Sequence, residues 1–317
     1  MPIPHEQLPP TDRMDTEQDT QTTLPIPQPP PAPKRPPLST LRKPSAMPAK
    51  SNGTPPPPTQ SARAQVTFGK LEAKPHGHRI VIYGPGGIGK TTLCAQLPGP
   101  VAFYDLEHSL QALRLNLEEQ GLIDNIVPVE GAETWSDIRA TLHGNGWAGI
   151  KTIVMDSATK AEELATAHVL ANIKVGKGET ADSIEAYGYG KGYIHQFETF
   201  INLLGDLDRH SLEGRNVVLV CHDCTASVPN PHGEDWLRYE PRLQNSAKSS
   251  IRLRVREWAD HVLFVGYDVS VNKDGKGVGG GTRTVYTSEL PHCMAKSRST
   301  GEQIPLDGEE FWSRIIR

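Results

Sequence analysis

A glycine-rich segment carries the residue types and the spacing that hold phosphate. Residues 84–91 read Gly-Pro-Gly-Gly-Ile-Gly-Lys-Thr and fit the pattern G-x-x-x-x-G-K-[ST]. Glycines let backbone N–H groups turn toward phosphate oxygens, and a helix that begins here presents its positive end to the same anion. Lys90 would reach the β- and γ-phosphates of ATP, and the Thr91 hydroxyl would bind Mg²⁺. The predicted ATP-binding residues are Gly84, Pro85, Gly86, Gly87, Ile88, Gly89, Lys90, Thr91 and Thr92.

The metal needs a second oxygen ligand, and Asp156 is the candidate. It ends the apolar run 152–156, Thr-Ile-Val-Met-Asp, and Ser157 follows it. An acid at the carboxyl end of a strand beside the one that leads to Gly84 would point into the nucleotide crevice. We therefore predict that Thr91 and Asp156 hold Mg²⁺ together. The alternative is that Asp156 only caps the helix that follows Ser157.

The elements that must position these residues are short apolar runs that alternate with longer mixed stretches. Runs that are apolar throughout are typical of strands buried on both faces. The predicted strands are 79–83, 101–105, 152–156 and 217–221, and the predicted helices are 90–97, 110–119, 134–143, 158–172 and 193–210. This alternation predicts an α/β fold with a mostly parallel sheet flanked by helices. Residues 261–271 and 283–287, joined by a turn at 273–277, predict a C-terminal hairpin at the edge of the sheet.

The residues after the second predicted strand resemble a known family. Residues 101–108 end in an Asp-x-Glu-His run, and residues 123–129 precede a helix after Thr134. With the glycine-rich segment, these features resemble the RecA-like P-loop ATPases. The resemblance implies that Glu107 is the general base that orients the attacking water. It also implies that His222, at the end of a strand where RecA more often has glutamine, senses the γ-phosphate. The alternative for Glu107 is an exposed carboxylate at a strand end.

Two shorter motifs resemble one branch of that family. Tyr189-Gly-Lys191 before a long helix and Ala295-Lys-Ser-Arg298 near the end are similar to phage-encoded RecA-like ATPases of the single-strand annealing type. The whole resemblance covers roughly Arg79 to Arg298. It implies a homo-oligomer, a ring or a filament, that works on single-stranded DNA in the host cytoplasm. A single-strand-binding protein is a further candidate partner.

Two predicted loops mix aromatic and basic side chains, which suits single-stranded DNA. They span residues 176–192 and 225–250. Bases stack on aromatic rings while cations meet phosphates, so such loops can hold a single strand without reading its sequence. The candidate DNA-binding residues are Tyr189, Lys191, Trp236, Arg238, Tyr239 and Lys248. The alternative is a pair of solvated loops in an ATPase that acts on a protein partner.

Three arginines follow the second loop at every other position. Arg252, Arg254 and Arg256 alternate with apolar residues, which predicts three guanidinium groups on one face of a strand. In RecA-like assemblies, basic residues at this place reach the nucleotide of the neighbouring subunit. The resemblance therefore implies that part for Lys248 or Arg252, with a solvated basic face as the alternative.

The cysteines leave one alternative open. Cys221 and Cys224 form a single C-x-x-C pair, and Cys293 lies downstream next to a histidine. One such pair is a weak signal for zinc, because a structural zinc site needs four ligands. A cysteine at the end of a buried strand equally fits a small apolar core residue.

Composition divides the chain near residue 64. Residues 1–64 hold 18 of the 28 prolines and none of the 19 aromatic residues, so they predict a disordered tail that serves as a linker or a partner-binding arm. Residues 65–317 are predicted to form one RecA-like ATPase domain. They carry 26 Lys and Arg against 32 Asp and Glu, so any contact with DNA must come from local loops. No apolar run reaches the ~18 residues of a membrane span, and the first residues lack a secretory pattern, which predicts a cytoplasmic protein without a membrane partner.

Together these features predict a function. The chain would be a Mg²⁺-dependent ATPase, stimulated by single-stranded DNA, that controls its grip on the strand during phage-type recombination or annealing. The rival is a nucleotide-dependent assembly or helicase-loading factor that does not itself bind DNA. A small-molecule kinase is disfavoured, because no Arg-rich lid segment is visible and Glu107 suits a water better than an acceptor hydroxyl.

Overall fold

The computed structural model describes residues 66–70, 72, 75–271, 277–306 and 311–316. The chain divides into two units, Met1–Gly69 and Lys70–Arg317. Of the first unit only residues 66–69 are described, and they form no helix or strand. The predicted tail, residues 1–64, and the first four residues of the predicted turn at 273–277 lie outside the described residues. Every element below belongs to the second unit.

The second unit alternates strands and helices. The strands are β1 (Arg79–Tyr83), β2 (Val101–Asp105), β3 (Ile126–Pro128), β4 (Thr152–Asp156), β5 (Asn216–Cys221), β6 (Asp223–Val228), β7 (Trp236–Pro241), β8 (His261–Val271), β9 (Gly277–Tyr286) and β10 (Gln303–Pro305). The helices are α1 (Lys90–Ala95), α2 (Ser109–Glu119), α3 (Trp135–His143), α4 (Ala158–Asn172), α5 (Lys191–Leu212), α6 (Ile251–Trp258) and α7 (Phe311–Ile315). The predicted core strands and helices are confirmed, with ends that shift by no more than two residues. Within the described residues, no helix is both long enough and apolar enough to cross a membrane.

One eight-stranded sheet forms the centre, in the order β10-β9-β8-β1-β5-β4-β2-β3. The strands from β8 to β3 in this order are parallel, while β9 and β10 are antiparallel additions at one edge. The mostly parallel sheet with a C-terminal hairpin is thus confirmed. One detail of the prediction is wrong, because β5 lies between β1 and β4, so Asp156 does not end a strand beside the one that leads to Gly84.

Alternate residues of the parallel strands pack against two different helical layers. In β4, Ile153 and Met155 face a core shared with α3, α4, α5 and α6, while Val154 faces a core shared with α1, α2 and α7. Both clusters are almost fully buried. This explains why the strands are apolar throughout, since a polar side chain on either face would lose its water. The result is a three-layer fold whose parallel strands all end at one edge.

The arginines after the second predicted loop lie on a helix, so their prediction as a strand face is wrong. Ser250 begins α6 by accepting a hydrogen bond from the backbone N–H of Leu253 at 3.0 Å. The apolar residues that matter are Ile251, Val255 and Trp258, spaced four and three apart, and all three are buried. Over so few residues, alternation and helical spacing share positions, and packing against the core decides for the helix.

The second predicted loop contains a separate two-stranded sheet. β6 and β7 pair antiparallel, from Asp223 opposite Pro241 to Val228 opposite Trp236. At the turn, Asp235 accepts a hydrogen bond from the backbone N–H of Asn230 at 3.2 Å. The hairpin starts one residue after His222, so it extends directly from the carboxyl edge of the central sheet.

Candidate functional site

The glycine-rich segment joins β1 to α1 in a tight loop whose shape depends on its glycines. A Cβ atom on Gly84 would lie 2.2 Å from the carbonyl oxygen of Val265, so only glycine fits beside β8. Gly87 and Gly89 have φ values of 74° and 105°, a region that other residues rarely adopt. The loop therefore has the backbone conformation that its spacing predicts, with α1 beginning at Lys90.

Lys90 lies folded against this loop. Its ammonium donates hydrogen bonds to the carbonyl oxygens of Gly84 at 2.7 Å and Pro85 at 2.8 Å. The side chain is buried, and burial lowers the pKa of Lys90 against the opposing pull of Asp156. A negatively charged partner stabilises a buried ammonium of this kind, and the phosphates of a nucleotide would supply that charge.

Thr91 and Asp156 form a pair of oxygen ligands. The Thr91 hydroxyl donates to Oδ2 of Asp156 at 2.6 Å. Burial raises the pKa of Asp156 to about 6, even though the bond from Thr91 opposes the shift. Mg²⁺ prefers oxygen ligands and takes one or two from a protein when phosphates and water supply the rest. The Thr91 hydroxyl and the Asp156 carboxylate fit such an ion. A bound Mg²⁺ would also offset the free-energy cost of burying the charged form of Asp156.

Glu107 is held by residues from two other strands. It lies two residues beyond β2, and it accepts hydrogen bonds from the hydroxyl of Ser157, which follows β4, and from Nε2 of His222, which follows β5, at 2.8 Å. Partial burial alone would raise the pKa of Glu107, but these two hydrogen bonds and the nearby charge of Lys90 lower it overall. Glu107 is therefore an oriented carboxylate at neutral pH, as a general base must be.

Asp105, the last residue of β2, fixes the turn that contains Glu107. Its carboxylate accepts hydrogen bonds from the backbone N–H groups of Ser109 at 2.8 Å and Leu110 at 3.0 Å, in the first turn of α2. Carboxylates are favourable at the start of a helix because the N–H groups there have no helical partner. Of the two acids in the Asp-x-Glu-His run, Asp105 thus fixes the turn that presents Glu107.

One cavity of about 1060 Å³ is lined by Lys90, Thr91, Glu107, Asp156 and His222. It runs from the glycine-rich loop past Glu107, Asp156 and His222 and continues along one face of α2. The volume is ample for a nucleoside triphosphate. Ser157 and Arg283 also line the cavity, and sequence reasoning assigned no role to either. The adjacency of Ser157 to Asp156 was a usable signal, whereas nothing near Arg283 in the sequence indicates phosphate.

Two of the candidate DNA-binding segments meet. The Lys248 ammonium donates to the backbone carbonyl oxygen of Tyr189 at 3.0 Å, which joins the turn before α5 to the turn before α6. The Tyr189 side chain is 91% exposed, and Lys191 and Trp236 are exposed as well. Aromatic and basic groups are therefore accessible at the turn before α5, with Tyr189 and Lys191, and on β7, with Trp236.

Arg238 and Tyr239, the other two candidates, are engaged within the protein. The Arg238 side chain is only 11% exposed and forms ion pairs with Glu240 and with Glu289, the latter at 2.6 Å. The Tyr239 ring stacks on Phe264, with centroids 5.1 Å apart. Arg238 would have to give up its ion pairs to bind a nucleic acid, whereas the Tyr239 ring packs on Phe264 and is still 39% exposed.

Among the described residues, the cysteine pair gathers no further ligands for zinc. Cys221 is completely buried in the core on the α4 side of the sheet, and burial raises the pKa of its thiol. Cys224 accepts a hydrogen bond from Arg252 at 3.2 Å. Across the ranges that the structure describes, no group of three or more His, Cys, Asp or Glu side chains could hold a metal ion.

A comparison with protein families matches the part of the chain that contains the nucleotide-site residues. A family model described as an AAA domain matches residues 76–299. This range includes the glycine-rich loop, Glu107, Asp156 and His222. A comparison with curated proteins gave no match.

Proposed function

This chain belongs to the AAA domain family, and we propose that it hydrolyses ATP with Mg²⁺ and uses the bound nucleotide to control its grip on single-stranded DNA. The observation that carries the proposal is the position of Glu107. Its carboxylate is held by Ser157 and His222 in the cavity that Lys90, Thr91 and Asp156 also line.

Each residue has a distinct part in the proposed reaction. The backbone of the glycine-rich loop binds the phosphates, and Lys90 stabilises the negative charge that builds on the β- and γ-phosphate oxygens. Thr91 and Asp156 would hold Mg²⁺, which when bound neutralises charge on the same oxygens. Glu107 orients a water in line with the γ-phosphate and accepts its proton. His222 fixes Glu107 and, as a strand-end group in the same cavity, is suited to sense the γ-phosphate.

A path of hydrogen bonds leads from this site to the β6–β7 hairpin. The backbone N–H of His222 donates to the Thr159 hydroxyl at 3.1 Å, and that hydroxyl donates to the carbonyl oxygen of Arg242 at 3.2 Å. One turn further along α4, the Glu162 carboxylate accepts the backbone N–H of Gln244 at 3.0 Å. Both ends of the segment that contains the hairpin are thus tied to α4, which begins after Ser157. A shift of Glu107 or His222 with the nucleotide state would therefore be transmitted to the hairpin.

Support for single-stranded DNA as the partner comes from the exposed groups on these segments. Tyr189 and Trp236 offer rings for stacking, and Lys191 and Lys248 offer cations for phosphates. The described domain is acidic overall, so we expect DNA binding to be confined to these exposed groups and to weaken with salt. We leave Arg238 and Tyr239 out of this surface because they are engaged elsewhere.

The biological setting of the proposal rests on the resemblance to phage-encoded RecA-like ATPases. We extend the proposal to recombination or annealing in the cytoplasm, by a homo-oligomer that can cooperate with a single-strand-binding protein. The Tyr189-Gly-Lys191 and Ala295-Lys-Ser-Arg298 motifs support this extension.

A second candidate function is a nucleotide-dependent assembly or helicase-loading factor. It is favoured by Leu237, which is 71% exposed on β7 next to Trp236. Exposed apolar side chains on this hairpin suit a protein partner, and the acidic domain offers DNA no general attraction.

One experiment separates the two candidates. The rate of ATP hydrolysis is measured with and without single-stranded DNA, alongside filter binding of a labelled strand with ATP and Mg²⁺. Stimulated hydrolysis and salt-sensitive binding would support the first function. Hydrolysis without any DNA binding at low salt would leave the assembly factor.

A further inference from the structure

An arginine from the C-terminal hairpin reaches the glycine-rich loop. Arg283 lies on β9, and its Nη1 atom donates a hydrogen bond to the carbonyl oxygen of Ile88 at 3.1 Å. A Cβ atom on Gly89 would lie 3.1 Å from the same Nη1, so the guanidinium is packed directly against the loop. In the chain, Arg283 is 195 residues away from Ile88.

The backbone around Arg283 is also fixed. It pairs with Tyr267 of β8 across the hairpin, and its carbonyl oxygen accepts the N–H of Leu306 at 2.8 Å. The side chain is half-buried and lines the cavity together with Leu306. Because Arg283 lies on a paired strand, the sheet fixes the position of its guanidinium beside the glycine-rich loop.

The charges of the cavity leave a clear role for a second cation. Among the described residues that line it, Lys90 and Arg283 are the two lysine or arginine side chains, against Glu107 and Asp156. A nucleoside triphosphate brings several negative charges, and one buried ammonium offsets only part of them. A guanidinium presents five donors in one plane, so it can hold the Ile88 carbonyl and a phosphate oxygen together.

We propose that Arg283 is a nucleotide-binding residue that contacts the phosphates of the bound nucleotide from the flank of the glycine-rich loop opposite the catalytic carboxylate. This inference rests on the proposed function, because it requires a nucleotide in the cavity. It gives Gly89 a second requirement besides its backbone angle, since a side chain there would displace Arg283 from the loop. It also makes the C-terminal hairpin part of the nucleotide site.

The test measures binding of fluorescently labelled ADP and ATP to the full chain. Arg283→Ala should raise the Kd for both nucleotides about 10- to 100-fold, the range for losing a hydrogen bond between charged groups. Arg283→Lys should recover part of the affinity because it keeps the charge. The affinity of Arg283→Ala should also vary less steeply with salt than that of the unmodified chain. Arg254→Ala, which removes an exposed arginine from α6, serves as the control and should bind as the unmodified chain does.

Two outcomes would overturn the inference, and they differ from a failure of the proposed function. If Arg283→Ala binds both nucleotides with unchanged Kd, the residue only braces the loop. Arg283 would also be only a brace for the loop if the rise in Kd of Arg283→Ala is matched by a loss of thermal stability without nucleotide. In that case the salt dependence of nucleotide binding would stay as it is in the unmodified chain. If the unmodified chain itself binds neither ADP nor ATP, the proposed function fails, and this inference falls with it.

Discussion

Nε2 of His222 lies 2.8 Å from Oε1 of Glu107, although the two residues are 115 positions apart in the chain. A carboxylate can only accept a hydrogen bond, so the imidazole donates one and thereby selects its tautomer. The contact exists because β2 and β5 both end at the carboxyl edge of the sheet. It couples the proposed general base to the residue from which the β6–β7 hairpin begins.

Removing the basic carboxylate of Glu107 should slow ATP hydrolysis strongly while sparing ATP binding. Glu107→Gln keeps an oxygen that can accept from Ser157 or His222, but it can no longer take a proton from water. We expect ATP affinity to change little and kcat to fall by roughly two to four orders of magnitude. Steady-state hydrolysis and nucleotide binding measure the two effects, with Glu119→Gln on the exposed end of α2 as the control. Hydrolysis at the normal rate would remove Glu107 from the mechanism.

Removing the Lys90 ammonium should abolish hydrolysis. In Lys90→Ala, the β- and γ-phosphates lose their nearest cation, and the carbonyl oxygens of Gly84 and Pro85 lose a donor. We expect turnover below detection for the purified variant, whereas Lys174→Ala, at an exposed position just after α4, should retain it. A Lys90→Ala protein that hydrolyses ATP as fast as the unmodified chain would contradict the assignment of the phosphate site.

The Glu162 carboxyl should make stability depend on pH. Burial raises the pKa of Glu162 from its ordinary 4.5 to about 7 in the folded protein. The folded state therefore binds this proton more tightly than the unfolded state, so its contribution to the free energy of unfolding is full below about pH 4.5 and is lost as the pH rises toward 7. Glu162→Gln does not titrate, so its stability should fall less over this interval. We expect a difference on the order of 1–3 kcal/mol between the two pH dependences.

Urea unfolding of both proteins at several values of pH measures this difference. Asp156, whose pKa is also raised, is present in both proteins, and its effect cancels in the comparison. Parallel pH dependences for the unmodified chain and Glu162→Gln would show that Glu162 titrates normally in the folded protein.

Two substitutions test the proposed DNA surface. Trp236→Ala should weaken binding of single-stranded DNA by ~1–3 kcal/mol if the ring stacks on a base. Lys191→Ala should mainly reduce the salt dependence of binding by about one ion. ATP affinity should be unchanged in both, because neither residue lines the nucleotide cavity. Tyr267→Ala, an exposed tyrosine on β8, is the matched aromatic control.

Filter binding at several salt concentrations gives these quantities. Duplex DNA of the same length should bind more weakly, since its bases are already stacked and hidden from the rings. If both variants bind single-stranded DNA as tightly as the unmodified chain, the proposed DNA surface is wrong and a protein partner is favoured. Tyr239→Ala, by contrast, should chiefly lower thermal stability, because its ring packs on Phe264.

Local patterns predicted much of this protein. The eight residues from Gly84 to Thr91 predicted a tight loop between a strand and a helix, and Gly87 and Gly89 have the positive φ values that such a loop requires. The apolar runs predicted the core strands because both faces of those strands are buried, and Ser157 was recognisable as the start of a helix. A short alternating pattern was insufficient for residues 251–258, where it fits a strand and a helix equally and only packing of Trp258 against the core decides.

Only the tertiary structure decided which distant residues meet. Strand order is a property of the whole sheet, so the sequence could not show that β5 separates β1 from β4, or that Ser157 and His222 both hold Glu107. The same is true of Arg283, whose neighbours in the chain are ordinary strand residues and whose role follows from a hairpin folded beside the loop. Spacing along a chain determines contacts within a few residues, whereas contacts across a hundred or more depend on how the strands stack side by side.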